Sequence, residues 1–85
     1  MYYVYVLRSR KDNRLYTGAT SDLRKRLDRH NEKQSTYTKH RGPFELIYYE
    51  ACNNKYDMST REKRLKSGYG KRYIKERLKR FLSQT

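Results

Sequence analysis

Tyr2-Tyr3-Val4-Tyr5-Val6-Leu7 is an unbroken aromatic and β-branched run, and Leu15-Tyr16-Thr17-Gly18 follows it across a short polar stretch. In a strand, Tyr3, Tyr5 and Leu7 share one side, while Tyr2, Val4 and Val6 share the other. Both sides are therefore apolar, which predicts a strand with neighbours on both flanks. Lys11-Asp12-Asn13 supplies turn chemistry, so residues 2–18 read as an antiparallel hairpin.

Downstream, Thr20-Ser21-Asp22 offers N-cap side chains, and the helix formers of Leu23 to Lys33 carry Leu23 and Leu27 at i, i+4. Ser35 to Pro43 lacks periodicity and reads as a loop. Phe44 to Ala51 predicts a third strand, with Phe44, Leu46 and Tyr48 alternating against Ile47 and Tyr49. Asn53 to Asp57 reads as a turn and Met58 to Lys66 as a helix stopped by Gly68 and Gly70. Lys71 to Leu82 reads as a last helix with Ile74, Leu78, Phe81 and Leu82 on its apolar side. The order β-β-α-β-α-α predicts an α+β fold, a three-stranded antiparallel sheet with flanking helices, over one domain spanning residues 1–85.

Composition narrows the function. The 85 residues hold 22 Lys+Arg against 9 Asp+Glu, a net charge of +13. Uncompensated positive charge is self-repelling, and a polyanionic partner is its default explanation. The charge is uneven: residues 63–80 carry nine basic residues and one acidic one. High charge can signal disorder, but ten tyrosines supply rings able to build a core. No apolar run approaches the roughly 20 residues of a membrane span. The N-terminus lacks a basic stretch and a small-residue cleavage site, so no secretory leader is expected. The single cysteine, Cys52, makes neither an internal disulfide nor a multi-cysteine zinc site, which points to a cytoplasmic setting.

Two helices place polar groups where a core should be, and such conflicts tend to mark function. On the first helix, at about 100° per residue, His30 falls beside Leu23, with Arg26 just beyond it. Both could be ordinary edge residues, Arg26 lying along the core and His30 satisfied by a hydrogen bond. On the second helix Glu62 sits between Met58 and Leu65 on the apolar stripe. A carboxylate there must be paired, metal-bound or at a cleft. Alternatively, Ser59-Thr60-Arg61-Glu62 is a capping box at the helix start. Gly18, before a helix N-terminus, allows either close approach of a ligand or a tight bend. Zinc ligation, Ser or Cys nucleophiles and two-metal carboxylate clusters lack their motifs.

These residues, in this order, resemble the GIY-YIG nuclease superfamily, and most closely its small stand-alone bacterial and archaeal members. Tyr3-Val4-Tyr5 matches the first half-motif, with Tyr3 in place of glycine. Tyr16-Thr17-Gly18 matches the second, with Thr17 in place of isoleucine. Leu23 to Asn31 is similar to the family's helix, whose arginine matches Arg26; His30 occupies a Tyr-or-His position. Glu62 falls where the metal-binding glutamate is expected, and His40 where some branches carry a functional histidine. Ile74 stands near a position at which many members have asparagine.

The resemblance implies a metal-dependent endonuclease hydrolysing DNA with low sequence specificity and with selectivity for DNA structure, as in DNA repair. Glu62 would hold one Mg²⁺ or Mn²⁺. Arg26 would stabilise the pentacovalent charge, Tyr16 would activate water, and Tyr5 and His30 would position groups or relay protons. Gly18, Arg24, Lys25, His40, Arg41, Lys71 and Arg72 are the expected nucleic-acid contacts. DNA is the expected partner, with RNA as a second polyanion, and the chain is taken as a monomer. The alternative is a module of the same fold that binds nucleic acid without turnover; a third reading is a dock for an acidic protein or anionic surface.

Overall fold

A computed structural model of the chain describes residues 1–32 and 43–84. The elements are β1 (Tyr2–Ser9), β2 (Leu15–Thr20), α1 (Leu23–Asn31), β3 (Phe44–Cys52), α2 (Lys55–Lys66), α3 (Gly68–Arg77) and α4 (Lys79–Ser83). The sheet is antiparallel in the order β2-β1-β3. The Tyr-rich run is the central strand, buried continuously from Val4 to Ser9, as its two apolar sides require. In the hairpin turn Asn13 adopts φ 61°, a left-handed conformation that asparagine tolerates well.

Residues paired across strands share a face. One face carries Tyr5, Leu7 and Phe44, packed with Tyr16 and Leu46 against Leu23 and Leu27 of α1. The other is tied to the later helices. There Arg61 of α2 grips Glu50 through Nε–Oε1 at 2.8 Å and Nη2–Oε2 at 2.9 Å. Tyr48 donates to Glu50 at 2.9 Å and meets the Tyr73 hydroxyl of α3 at 3.2 Å. The guanidinium of Arg8 lies 5.1 Å from the ring centre of Phe81 in α4.

The α+β order stands as expected, while several boundaries move. The β1–β3 register shifts between Val6, opposite Tyr48, and Leu7, opposite Leu46, which makes Ile47 a bulge. The expected alternation of β3 therefore breaks: Leu46 joins the α1 face and Tyr48 the opposite one. α1 ends at Asn31, and α2 starts at Lys55 rather than Met58, because Asn54 is an N-cap. Its Oδ1 accepts from Tyr56 N at 2.8 Å and Asp57 N at 3.1 Å. Ser59-Thr60-Arg61-Glu62 thus lies inside the helix, and the capping-box reading of Glu62 is removed. Gly68 opens α3 instead of merely stopping α2, and a Cβ on Gly70 would collide with the backbone of Leu65. The expected last helix divides at Leu78 (φ −112°, ψ 25°) into α3 and α4. Of the Ser35–Pro43 loop reading, all but Pro43 lies outside the described residues, as do His40 and Arg41.

Candidate active site

An open cleft of about 470 Å³ follows the edge strand β2, which lines it from Leu15 to Ala19. Arg26 and His30 of α1 form one wall, and Glu62, Leu65 and Lys66 of α2 with Gly70, Lys71 and Ile74 of α3 form the other. The fold thus brings Tyr5, Tyr16, Gly18, Arg26, His30, Glu62 and Lys71 to one opening. Arg24 and Lys25 are exposed on α1 away from it, and Arg72 lines a separate groove on α3.

α1 is set by its ends. Asp22 caps it, with Oδ1 accepting from Lys25 N at 3.0 Å. At the other end the Asn31 carboxamide clamps the Phe44 backbone, accepting from N at 2.7 Å and donating to O at 3.3 Å. The clamp seats His30 against Phe44, ring centres 5.9 Å apart. It also brings His30 Nε2 to 3.0 Å from the Tyr5 hydroxyl.

Burial, and secondarily the Arg26 charge, hold the His30 imidazole below its ordinary pKa of 6.5. Burial also pushes the Tyr5 phenol above its ordinary 10.0, and the nearby Arg26 guanidinium only partly opposes this. Both groups are therefore neutral at pH 7. The Tyr5 hydroxyl and Nε2 share one hydrogen bond, whose donor is set by the imidazole tautomer. Tyr5 lies directly over Gly18, its cross-strand partner, and a Cβ there would strike the phenol ring. Gly18 has no positive φ, so the glycine is required by this close approach and not by a bend.

Tyr16 packs edge-on to Phe44 at 5.4 Å, and its hydroxyl has no hydrogen bond among the described residues. Glu62 is half-buried and faces Lys66, Oε2 to Nζ 3.1 Å. Among the described residues it is the sole carboxylate lining the cleft, and they hold no group of three or more His, Cys, Asp or Glu that could bind a metal. One carboxylate suits a hard cation that keeps most of its waters, such as Mg²⁺. The donor set fits that ion and does not fit zinc. No helix among the described residues is long and apolar enough to cross a membrane.

Sequence reasoning missed Lys66, because Glu62 and Lys66 at i, i+4 look like an ordinary surface pair. Asn31 was also missed: it falls inside the helix expected to run to Lys33, with nothing in the sequence to name the Phe44 backbone as its partner.

The sequence pattern of the GIY-YIG catalytic domain matches residues 1–77. A UPF0213 protein of Clostridium perfringens is 46% identical over 63 residues, which cover 73% of this chain and 67% of that one. A UPF0213 protein of Oceanobacillus iheyensis is 46% identical over 66 residues, 76% of each chain. The solution NMR structure of a UPF0213 protein from Bacillus halodurans superposes with a TM-score of 0.52 at 35% identity, covering 87% of this chain and 82% of that one. The fold and the matched span thus agree, and the chain belongs to the GIY-YIG catalytic domain family, with kinship to nucleases.

Proposed function

We propose that the chain is a divalent-metal-dependent endonuclease that hydrolyses DNA phosphodiester bonds in the β2 cleft with low sequence specificity. Family members generally bind DNA and depend on a divalent metal. The observation that carries the reading is the convergence of a neutral Tyr5–His30 pair, Arg26 and Glu62 on one cleft of a strongly basic chain.

Hydrolysis forms a bond from water oxygen to phosphorus, breaks the bond to the leaving oxygen, and moves a proton from the water to that oxygen. Arg26, permanently cationic and fork-shaped, binds the non-bridging oxygens and offsets the charge that grows on them. Tyr16, whose hydroxyl has no hydrogen bond among the described residues, activates the water. Tyr5 and His30, joined by their hydrogen bond, take up the proton that the water loses and return it to the leaving oxygen, so the pair ends as it began. Glu62 would hold the metal, which when bound polarises the phosphate. Lys66 and Lys71 add positive charge along the opposite wall.

Purified chain incubated with single-stranded, duplex and branched DNA and Mg²⁺ or Mn²⁺ tests the reading. Product that requires the metal and disappears in Glu62→Gln and Arg26→Ala is expected; no product on any of the three DNAs overturns it. Ile74 favours a second reading. It is a buried apolar residue in the cleft wall, near a position at which many members have asparagine, and it supports a module that binds without turnover. Binding that survives Glu62→Gln and chelation, with no cleavage, would establish that alternative.

A further inference from the structure

Helix α3 has two working sides. Gly70, Lys71 and Ile74 face the β2 cleft, whereas Tyr69 and Tyr73, at i and i+4, lie outside it. Their rings are stacked, with centres 6.0 Å apart and planes 25° from parallel. Two arginines of α2 cover them: Arg64 lies 4.2 Å from the centre of Tyr69, and Arg61 lies 5.0 Å from that of Tyr73. A groove of about 320 Å³ runs along the rings, lined by Tyr69, Tyr73, Arg72, Arg77 and Glu76. Neither Arg61 nor Arg64 lines it.

The platform is rigid and positively charged. Tyr73 is fixed by the Tyr48 hydroxyl at 3.2 Å, and Arg61 by its two bonds to Glu50. Arg61 is thereby held in place and serves as scaffold. Arg64, Arg72 and Arg77 have no ion pair within 4.0 Å among the described residues and remain available to phosphate. The one acid in the groove, Glu76, leans to Lys79 at 3.9 Å. Hydrogen bonding by the Arg61 and Arg64 guanidinium groups also holds the Tyr69 phenol below its ordinary pKa of 10.0. Stacked aromatic rings beside unpaired arginines are what flexible, unpaired strands bind: bases stack on the rings while phosphates meet the cations. A duplex, whose bases are already stacked inside, offers only its phosphates.

We propose that Tyr69 and Tyr73 form a base-stacking platform for single-stranded nucleic acid beside the cleft, so that the preferred substrate carries an unpaired segment next to the bond to be cut. This rests on the reading of the chain as one that acts on nucleic acid, and its test is binding rather than cleavage.

Fluorescence anisotropy on the full chain with labelled oligo(dT), oligo(rU), an abasic oligomer of equal length and charge, and a duplex separates the terms. The wild-type chain should bind oligo(dT) or oligo(rU) about tenfold more tightly than the abasic oligomer. Tyr69→Leu should remove that preference, Tyr69→Phe should keep it, and duplex affinity should change by less than about twofold, with folding checked by circular dichroism. Equal wild-type affinity for base-bearing and abasic strands overturns the platform without any variant. So does a Tyr69→Leu loss that is the same on duplex and single strands. A wild-type chain that binds no nucleic acid at low salt overturns the platform and the proposed function together, whereas duplex binding without base preference overturns the platform alone.

Discussion

The Tyr5 hydroxyl lies 3.0 Å from His30 Nε2, and the buried setting of each favours its neutral form. This pair predicts how stability responds to acid. An unfolded histidine protonates near its ordinary pKa of 6.5, but folded His30 does so only at lower pH. Its contribution is complete above that value and is lost as the pH falls through the folded pKa. Melting temperature should therefore be flat above about pH 7 and decline below pH ~6.5. In His30→Gln the decline in that window should flatten, which differential scanning fluorimetry across pH would detect.

A second acid-sensitive step belongs to Glu50. The Arg61 hydrogen bonds, with help from Tyr48, hold its carboxyl below the ordinary 4.5, despite an opposing effect of burial. Its stabilisation is present above that value and is lost as the pH falls through the folded pKa. Both partners are about a quarter exposed, 28% each, so solvent screening trims the effect. Arg61→Leu should cost about 1–2 kcal/mol in urea titrations at pH 7, and less near pH ~3.

Gly18→Ala places a methyl group against the Tyr5 ring. Overpacking of this kind should cost about 1–3 kcal/mol. The loss should shrink when the ring is made smaller by Tyr5→Leu, because the two residues act on one contact. A double-mutant cycle by denaturant unfolding measures the coupling; additive losses would mean that the clash is relieved elsewhere.

Removing the Arg26 guanidinium should lower cleavage by about 10²–10³-fold, the range found when one transition-state donor is deleted. Arg26→Lys keeps a charge but not the fork, so it should recover only part of the rate. Initial-rate assays on one DNA substrate would show the order wild type, Lys, Ala.

Affinity for DNA should fall steeply with salt, because it rests on phosphate contacts made by Lys and Arg. A log–log plot of affinity against salt concentration should be linear with a negative slope, and alanine at Lys71 should reduce that slope by about one. A flat plot would refute the electrostatic account.

Much of this was legible in the chain. The apolar alternation of Tyr2–Leu7 on both sides marks a central strand, and the charged Arg26 and Glu62 beside apolar stripes mark the cleft walls. The rest depended on partners that periodicity does not name. Asn53-Asn54 reads as a turn because asparagine serves turns and N-caps alike, so the start of α2 shifts by three residues. Ile47 looks like any strand residue; only pairing with β1 reveals it as extra. Tyr69 and Tyr73 look like core material in sequence, and the arginines that cover them come from a different helix.

The Ile47 bulge has a bearing on behaviour at high concentration. β3 is an outer strand, nine residues long and rich in aromatic and aliphatic side chains, the kind of edge on which a second molecule could extend the sheet. A bulge bends and twists the strand that carries it, and a twisted edge is a poor template for another straight strand. The residue that shares β3 between the two faces of the sheet thus also guards against edge-to-edge aggregation.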